Sequence, residues 1–272
     1  MTDLAGVIAI SGAAGVATGI GALPVFVRAR VTHRVYDAAL GLAAGLMVAA
    51  SVFGLIIPGM EEGTLAAVMA GVFVGGGGLL AGNYAIPHLH AQYRAWRPEG
   101  GATDRDAAGV ADTAAVTDPD RDVTLRKALL IGGAITLHNA PEGLAIGVAF
   151  ASGLEEVALV LAVVIGLQNV PDGFAFAVPM AETGMSNRRV IWYTMLSGVV
   201  PQVVASVFGF LVVSVATGLF PVASGFAAGA MLAVVFRELI PSSHGHGHAD
   251  AATAAFLAGF VLLVVVDAVV VV

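Results

Sequence analysis

His138 and Glu142 stand four residues apart in Leu137-His138-Asn139-Ala140-Pro141-Glu142-Gly143. Gln168 and Asp172 repeat that spacing in Leu167-Gln168-Asn169-Val170-Pro171-Asp172-Gly173. Both stretches read L-[HQ]-N-x-P-[ED]-G at an offset of thirty residues, and the echo continues into Ala145/Ala175 and Val148/Val178. On a helix, side chains four apart share a face. Facing each other, the two pairs would offer an imidazole, two carboxylates and amide oxygens. That donor set suits a divalent ion such as Zn²⁺, Fe²⁺, Mn²⁺, Co²⁺ or Cd²⁺. The chain has no cysteine, so a thiolate site of the tight structural kind is excluded.

Both pairs sit near the middle of long apolar runs, about 126–150 and 156–180. A carboxylate at the centre of a membrane-spanning helix costs ~2.5–3.5 kcal/mol. Two of them, with no Lys or Arg in either run's middle, need a bound dication or protons to offset the charge. Pro141 and Pro171 each remove a backbone donor, which is expected to free the carbonyls of Leu137 and Leu167 and to break the helices. Gly143 and Gly173 are expected to let another helix approach closely. The short link Ala151-Ser152-Gly153-Leu154-Glu155 predicts an antiparallel hairpin. Each motif then lies ~18 Å from the turn, over about twelve residues, so the two meet at one depth near the bilayer midplane.

The elements that position this pair belong to a polytopic membrane protein. The chain is 58% hydrophobic and only 11% charged, with mean hydropathy +0.92, which excludes an ordinary soluble domain. We expect one all-α transmembrane domain over residues 1–272, with eight helices near 4–27, 36–59, 64–86, 126–150, 156–180, 190–216, 219–240 and 251–272. The polar stretch near 87–124 is expected to be a loop. All twelve Arg and Lys residues fall after the first, third and fifth runs or at the end of the seventh (Arg237), whereas the other connections carry Glu61, Glu62, Glu155 and Glu156 or nothing. The positive-inside rule then puts the long loop in the cytoplasm and both termini outside the cell membrane.

A second repeat reads G-x-A-A-G-x-M. It covers Gly41 to Met47 in the second run and Gly225 to Met231 in the seventh, with Leu55-Ile56 answering Leu239-Ile240. By the charge argument these two runs point in opposite directions. The expectation is an inverted 3+2+3 arrangement, with the first three and last three helices as copies around a central helix 4–5 hairpin. Small residues at helix faces would produce the same echo by packing alone. The His-bearing turn His244-Gly245-His246-Gly247-His248 is expected either to hand on metal or to be a plain solvated turn. Glycines 75 to 78 mark a thin region of the third run.

The helix 4 motif, its helix 5 relative, the eight runs and the polar loop resemble the ZIP (zinc–iron permease-like) metal transporters over nearly the whole chain. The likeness is nearest to prokaryotic members with Gln at the start of the helix 5 motif. It implies uptake of a divalent metal, typically Zn²⁺, as substrate, with no resident cofactor and no enzymatic activity. It also implies a first site of His138, Glu142, Gln168 and Asp172, and an adjoining one of Asn139, Glu142, Asn169 and Asp172. Met47 matches the family's helix 2 thioether. Glu238 and Asp267 match acidic positions on helices 7 and 8, which makes them candidates for the metal pathway. Two departures stand out: Asp172 replaces the usual Glu, and Val200 is expected to stand where helix 6 commonly has a Glu before Pro. The second ion position should therefore be weak or absent.

Other partners are membrane lipid and, given the small-residue faces, a homodimer; nothing points to nucleic acid. Two rival readings are an intramembrane metalloprotease and an ion-coupled carrier of a small organic substrate. The first lacks H-E-x-x-H, since position 139 is Asn and the residue four after His138 is Glu142. The second leaves His138 with Asn139 unexplained.

Overall fold

The computed structural model describes residues 3–27, 32–85, 138–182 and 184–270, and it is helical throughout. In chain order the helices are α1 (Leu4–Gly21), α2 (His33–Glu61), α3 (Leu65–Ala85), α4 (138–151), α5 (Glu155–Glu182), α6 (Asn187–Val215), α7 (Thr217–Ser243) and α8 (Ala249–Val270). Seven of them, all but α4, are long and apolar enough to cross a membrane. The expected first half of helix 4, the 87–124 loop, and the basic residues Arg28 and Arg30 lie outside the described residues.

Local signals set the helix starts. Asp3 accepts from the Gly6 N–H at 2.8 Å, Thr32 from Val35 at 3.4 Å, and Thr64 from Ala67 at 3.2 Å, so each supplies a side-chain oxygen to an otherwise unpaired donor. Glu155 and Glu156 occupy the first turn of α5, where the helix dipole favours negative charge. Gly153, at φ 85°, makes the tight reversal from α4 to α5 that a side chain would strain.

Two features were not foreseen. First, α2 and α7 each contain a π-helical stretch, Ala50–Ile56 and Val235–Leu239. Each stretch ends two residues before a proline, Pro58 or Pro241. A proline ring crowds the carbonyl one turn earlier, and a widened turn relieves that crowding. Second, α5 runs through Pro171 as one helix of 28 residues. The expected break there is absent, and the half-exposed Leu167 stays in regular helix.

The helices pack backbone to backbone through glycine. A Cβ on Gly41 or Gly45 of α2 would strike the carbonyls of Ala252 or Phe256 on α8, and one on Gly225 or Gly229 of α7 would strike those of Val68 or Val72 on α3. The G-x-A-A-G-x-M echo is thus used in the same way twice. Gly143 and Gly147 of α4 meet the carbonyls of Gln202 and Ser206 on α6. Gly173 of α5 meets that of Thr18 on α1. The close approach expected of Gly143 and Gly173 is therefore present. Gly75 also lies against α7, but Gly77 and Gly78 face open space. Large apolar side chains such as Phe73, Trp192, Val204, Phe208 and Val261 point outward, as helices solvated by lipid require.

Candidate metal centre

The two motifs meet. Gln168 Nε2 of α5 donates to Glu142 Oε1 of α4, and both residues are fully buried. His138 and Asp172 are each only 7% exposed, and Asp172 lies within electrostatic reach of both His138 and Glu142. Gln168 and Glu142 are thus in direct contact, with His138 and Asp172 buried within electrostatic reach.

His138 gains a partner that spacing could not supply. Its Nδ1 lies 3.3 Å from Glu238 Oε2, on the π-helical stretch of α7. A carboxylate accepts, so Nδ1 is the nitrogen that donates, and in the neutral imidazole Nε2 is the one left with a lone pair. Nε2 has no hydrogen-bond partner among the described residues. Glu238, a candidate for the metal pathway, stands behind the imidazole, where an outer carboxylate would orient a ligating histidine. Glu238→Gln should weaken metal affinity about 10- to 100-fold. Titration of purified protein checks this, with an unshifted affinity counting against the orienting role.

The motif asparagines hold the neighbouring helices. Asn169 Nδ2 donates to the Ala14 carbonyl of α1 and to Gln202 Oε1 of α6, both at 2.9 Å. Asn139 Nδ2 donates to the Ser197 carbonyl of α6 at 3.4 Å. Pro201 has no N–H, so the Ser197 carbonyl lacks its usual helical partner four residues on, and Asn139 supplies one. In each motif, then, the Asn and the Gly four residues later grip one neighbouring helix. Asn139 and Gly143 hold α6 at Ser197 and Gln202. Asn169 and Gly173 hold α1 at Ala14 and Thr18.

Those contacts leave acceptors over. His138 Nε2, Glu142 Oε2, Gln168 Oε1 and Asn169 Oδ1 are buried with no hydrogen-bond partner among the described residues. Buried acceptors left without a donor are a poor packing solution, and a bound cation would satisfy them. No group of three His, Asp or Glu side chains among the described residues is arranged to hold an ion, so amide oxygens have to share in any coordination.

The other residues singled out in the sequence have the following surroundings. Met47 is buried in the main apolar core with Ala145, Ile146 and Ile165. Asp267 is half-buried on α8 and makes no hydrogen bond to the cluster among the described residues. The three turn histidines have different contacts. His244 Nδ1 lies 2.9 Å from the Ile240 carbonyl and closes α7. His246 Nδ1 lies 2.8 Å from the fully buried Asp37 and stacks on His33. The carbonyl of His248 accepts from Ala252 at the start of α8.

Val200 is 52% exposed, whereas Gln202 is fully buried and accepts from Asn169. Residues two apart on a helix are ~200° apart in direction, so the α6 side chain that meets the motifs is Gln202. The polar residue inside the otherwise apolar 199–205 run was the available signal.

Fold and cluster together define a multi-pass membrane protein with a buried polar centre held between two motif-bearing helices. A family model described as ZIP Zinc transporter matches residues 99–267, and the chain belongs to the ZIP family. It is 37% identical to "Zinc transporter GufA" of Myxococcus xanthus, over 93% of this chain and 94% of that protein. It is 34% identical to "Zinc transporter ZIPB" of Bordetella bronchiseptica, over 96% of this chain and 81% of that protein. It is 33% identical to "Zinc transporter ZIP11" of Homo sapiens, over 92% and 93%.

Proposed function

We propose that this protein carries a divalent metal ion, Zn²⁺ first among them, across the cell membrane into the cytoplasm. His138, Glu142, Gln168 and Asp172 bind the ion between α4 and α5. The observation that carries the reading is the set of buried, unpaired acceptors on the two motif helices, neither of which has a Lys or Arg in its described part. The relatives named as zinc transporters supply the choice of metal. A mixed site of imidazole, carboxylate and amide holds Zn²⁺ less tightly than thiolates do, and a carried ion has to be released.

The arrangement around the site is an inverted 3+2+3, with both termini outside and the α4–α5 hairpin at its centre. It is supported by the matched glycine contacts of α2 on α8 and α7 on α3, and of α4 on α6 and α5 on α1. The paired π-helical stretches add to this. The ion enters from outside, exchanges water for the four side chains, and leaves inward as the two repeats rock about the hairpin. No step calls for an enzymatic group.

The test is flux into vesicles that hold the reconstituted protein and a metal-sensing dye. Zn²⁺-dependent dye response is expected; peptide cleavage without metal flux would overturn the reading. The same assay checks pH. Protons and metal compete for the same lone pairs on His138, Glu142 and Asp172, so affinity rises with pH. Acidifying the entry side from pH 7.5 to 5.5 should reduce affinity by up to about tenfold per pH unit for each proton displaced, and a flat profile would show that no proton competes.

A further inference from the structure

Asp37 is fully buried near the start of α2, and nothing in the cation site uses it. Its Oδ1 lies 2.8 Å from His246 Nδ1, on the turn between α7 and α8. Its Oδ2 is buried with no hydrogen-bond partner among the described residues. A buried carboxylate needs a compensating partner, and His246 supplies it. The same turn of α2 holds the imidazole from two further sides. His33 stacks on it, with ring centroids 4.3 Å apart and planes 17° from parallel. Tyr36 meets it edge-on, at 5.5 Å and 89°. Residues three and four apart share a helix face, so His33, Tyr36 and Asp37 together form a receptor for this one ring.

What the receptor fixes is the inner end of α7. Toward the other end of that helix, Gly225 and Gly229 press on the carbonyls of Val68 and Val72 of α3. His246 follows three residues after Ser243, where α7 ends. Between these two clamps lies the π-helical stretch Val235–Leu239, which brings Glu238 to 3.3 Å from His138. A π turn takes in one residue more than an α turn. If it relaxed to α-helical bonding, the helix beyond it would shift by one residue, which is about 100° of rotation. That is enough to carry Glu238 off the imidazole. The inner end of α7 can take up such a rotation only if the following turn is free to move, and the clasp on Asp37 holds that turn. Asp37 is itself on a fixed backbone, because Gly41, one helical turn on, lies against the Ala252 carbonyl of α8.

We propose that Asp37 and His246 are positioning residues for the cation site: their clasp holds α7 in its π-helical register and so keeps Glu238 behind His138. This rests on the cation-site reading above and deepens it. Neither residue is required to touch the ion.

The experiment is a double-mutant cycle read by calorimetric titration of the purified full-length protein with Zn²⁺. His246→Leu should weaken affinity about tenfold, the lower end of what loss of an outer partner costs. Added to Glu238→Gln, it should cost nothing more, since the clasp acts through Glu238. A merely structural role would multiply the two losses instead. His246→Asn keeps an N–H donor in place of Nδ1 and should stay near wild type; a loss as large as that of His246→Leu would be contrary. Wild-type affinity in a folded His246→Leu protein, or losses that multiply in the double variant, would overturn the inference and leave the transport reading intact. No Zn²⁺ binding by the wild type would overturn that reading, and this inference with it. Should His246→Leu fail to fold with Asp37 left uncompensated, the paired variant Asp37→Ala/His246→Ala removes both partners and faces the same cycle.

Discussion

Glu142→Ala is expected to abolish metal flux in reconstituted vesicles, with a loss of at least about 100-fold, since removing even an outer partner of a metal site costs 10- to 100-fold. Three observations concentrate the effect at this residue. Glu142 is fully buried, it accepts from Gln168 across the α4–α5 interface, and its second oxygen has no hydrogen-bond partner among the described residues. The alanine variant loses a ligand, half of the site's carboxylate charge, and the partner of Gln168. Glu142→Gln separates these contributions. It keeps the volume and an acceptor for Gln168 but not the charge, so flux should be lost while surface expression and thermal stability remain near wild type. Uptake retained by either variant at normal expression would mean that the ion passes elsewhere.

The second large effect lies in packing. Gly173→Leu should collapse both folding yield and transport, because a Cβ at that position would overlap the Thr18 carbonyl of α1. The displaced atom is backbone, so no rotamer change relieves the clash and the two helices have to separate. Overpacking a core costs about 1–3 kcal/mol when side chains can give way, and here the cost should sit at or above the top of that range. Separation would also pull Asn169 from the Ala14 carbonyl and tilt its amide out of the site. Gly77→Ala and Gly78→Ala supply the contrast. Nothing lies within 4 Å of a Cβ at either position, and alanine restricts the unfolded chain, so a gain of about 0.4–1 kcal/mol is expected. Melting curves in detergent check both. A destabilised Gly77→Ala beside a tolerant Gly173→Leu would reverse the assigned packing.

Much of the centre was legible because four of its members sit on two helices at the spacing of one helical turn. The repeat of thirty residues brought the second pair to the first, and the short glycine-bearing link made those helices neighbours. Glu238 was visible as a candidate for the metal pathway through the family likeness, but not as the partner of His138. What brings it to His138 is the register of α7 against the rest, with a π-helical stretch in between, and a regular heptad or 3.6-residue count carries no sign of either. The three turn histidines could be read as handing on metal or as a solvated turn, and in the fold the rings of His244 and His246 have separate partners. His246 in particular belongs to Asp37, which lies 209 residues away.

The sequence alone determined the elements and the chemistry: eight apolar runs, their alternation of charge, and a pair of motifs whose burial in lipid demands a cation or protons. These follow from composition and local periodicity, which act over a few residues. Only the tertiary structure decided which face of each neighbouring helix meets those motifs. It put Gln202 on Asn169 and left Val200 exposed, and it gave each motif asparagine a backbone carbonyl to hold. The reason is that helix rotation is set by where glycine allows two backbones to touch. That contact joins residues far apart in the chain, where a shift of two positions swings a side chain through more than half a turn.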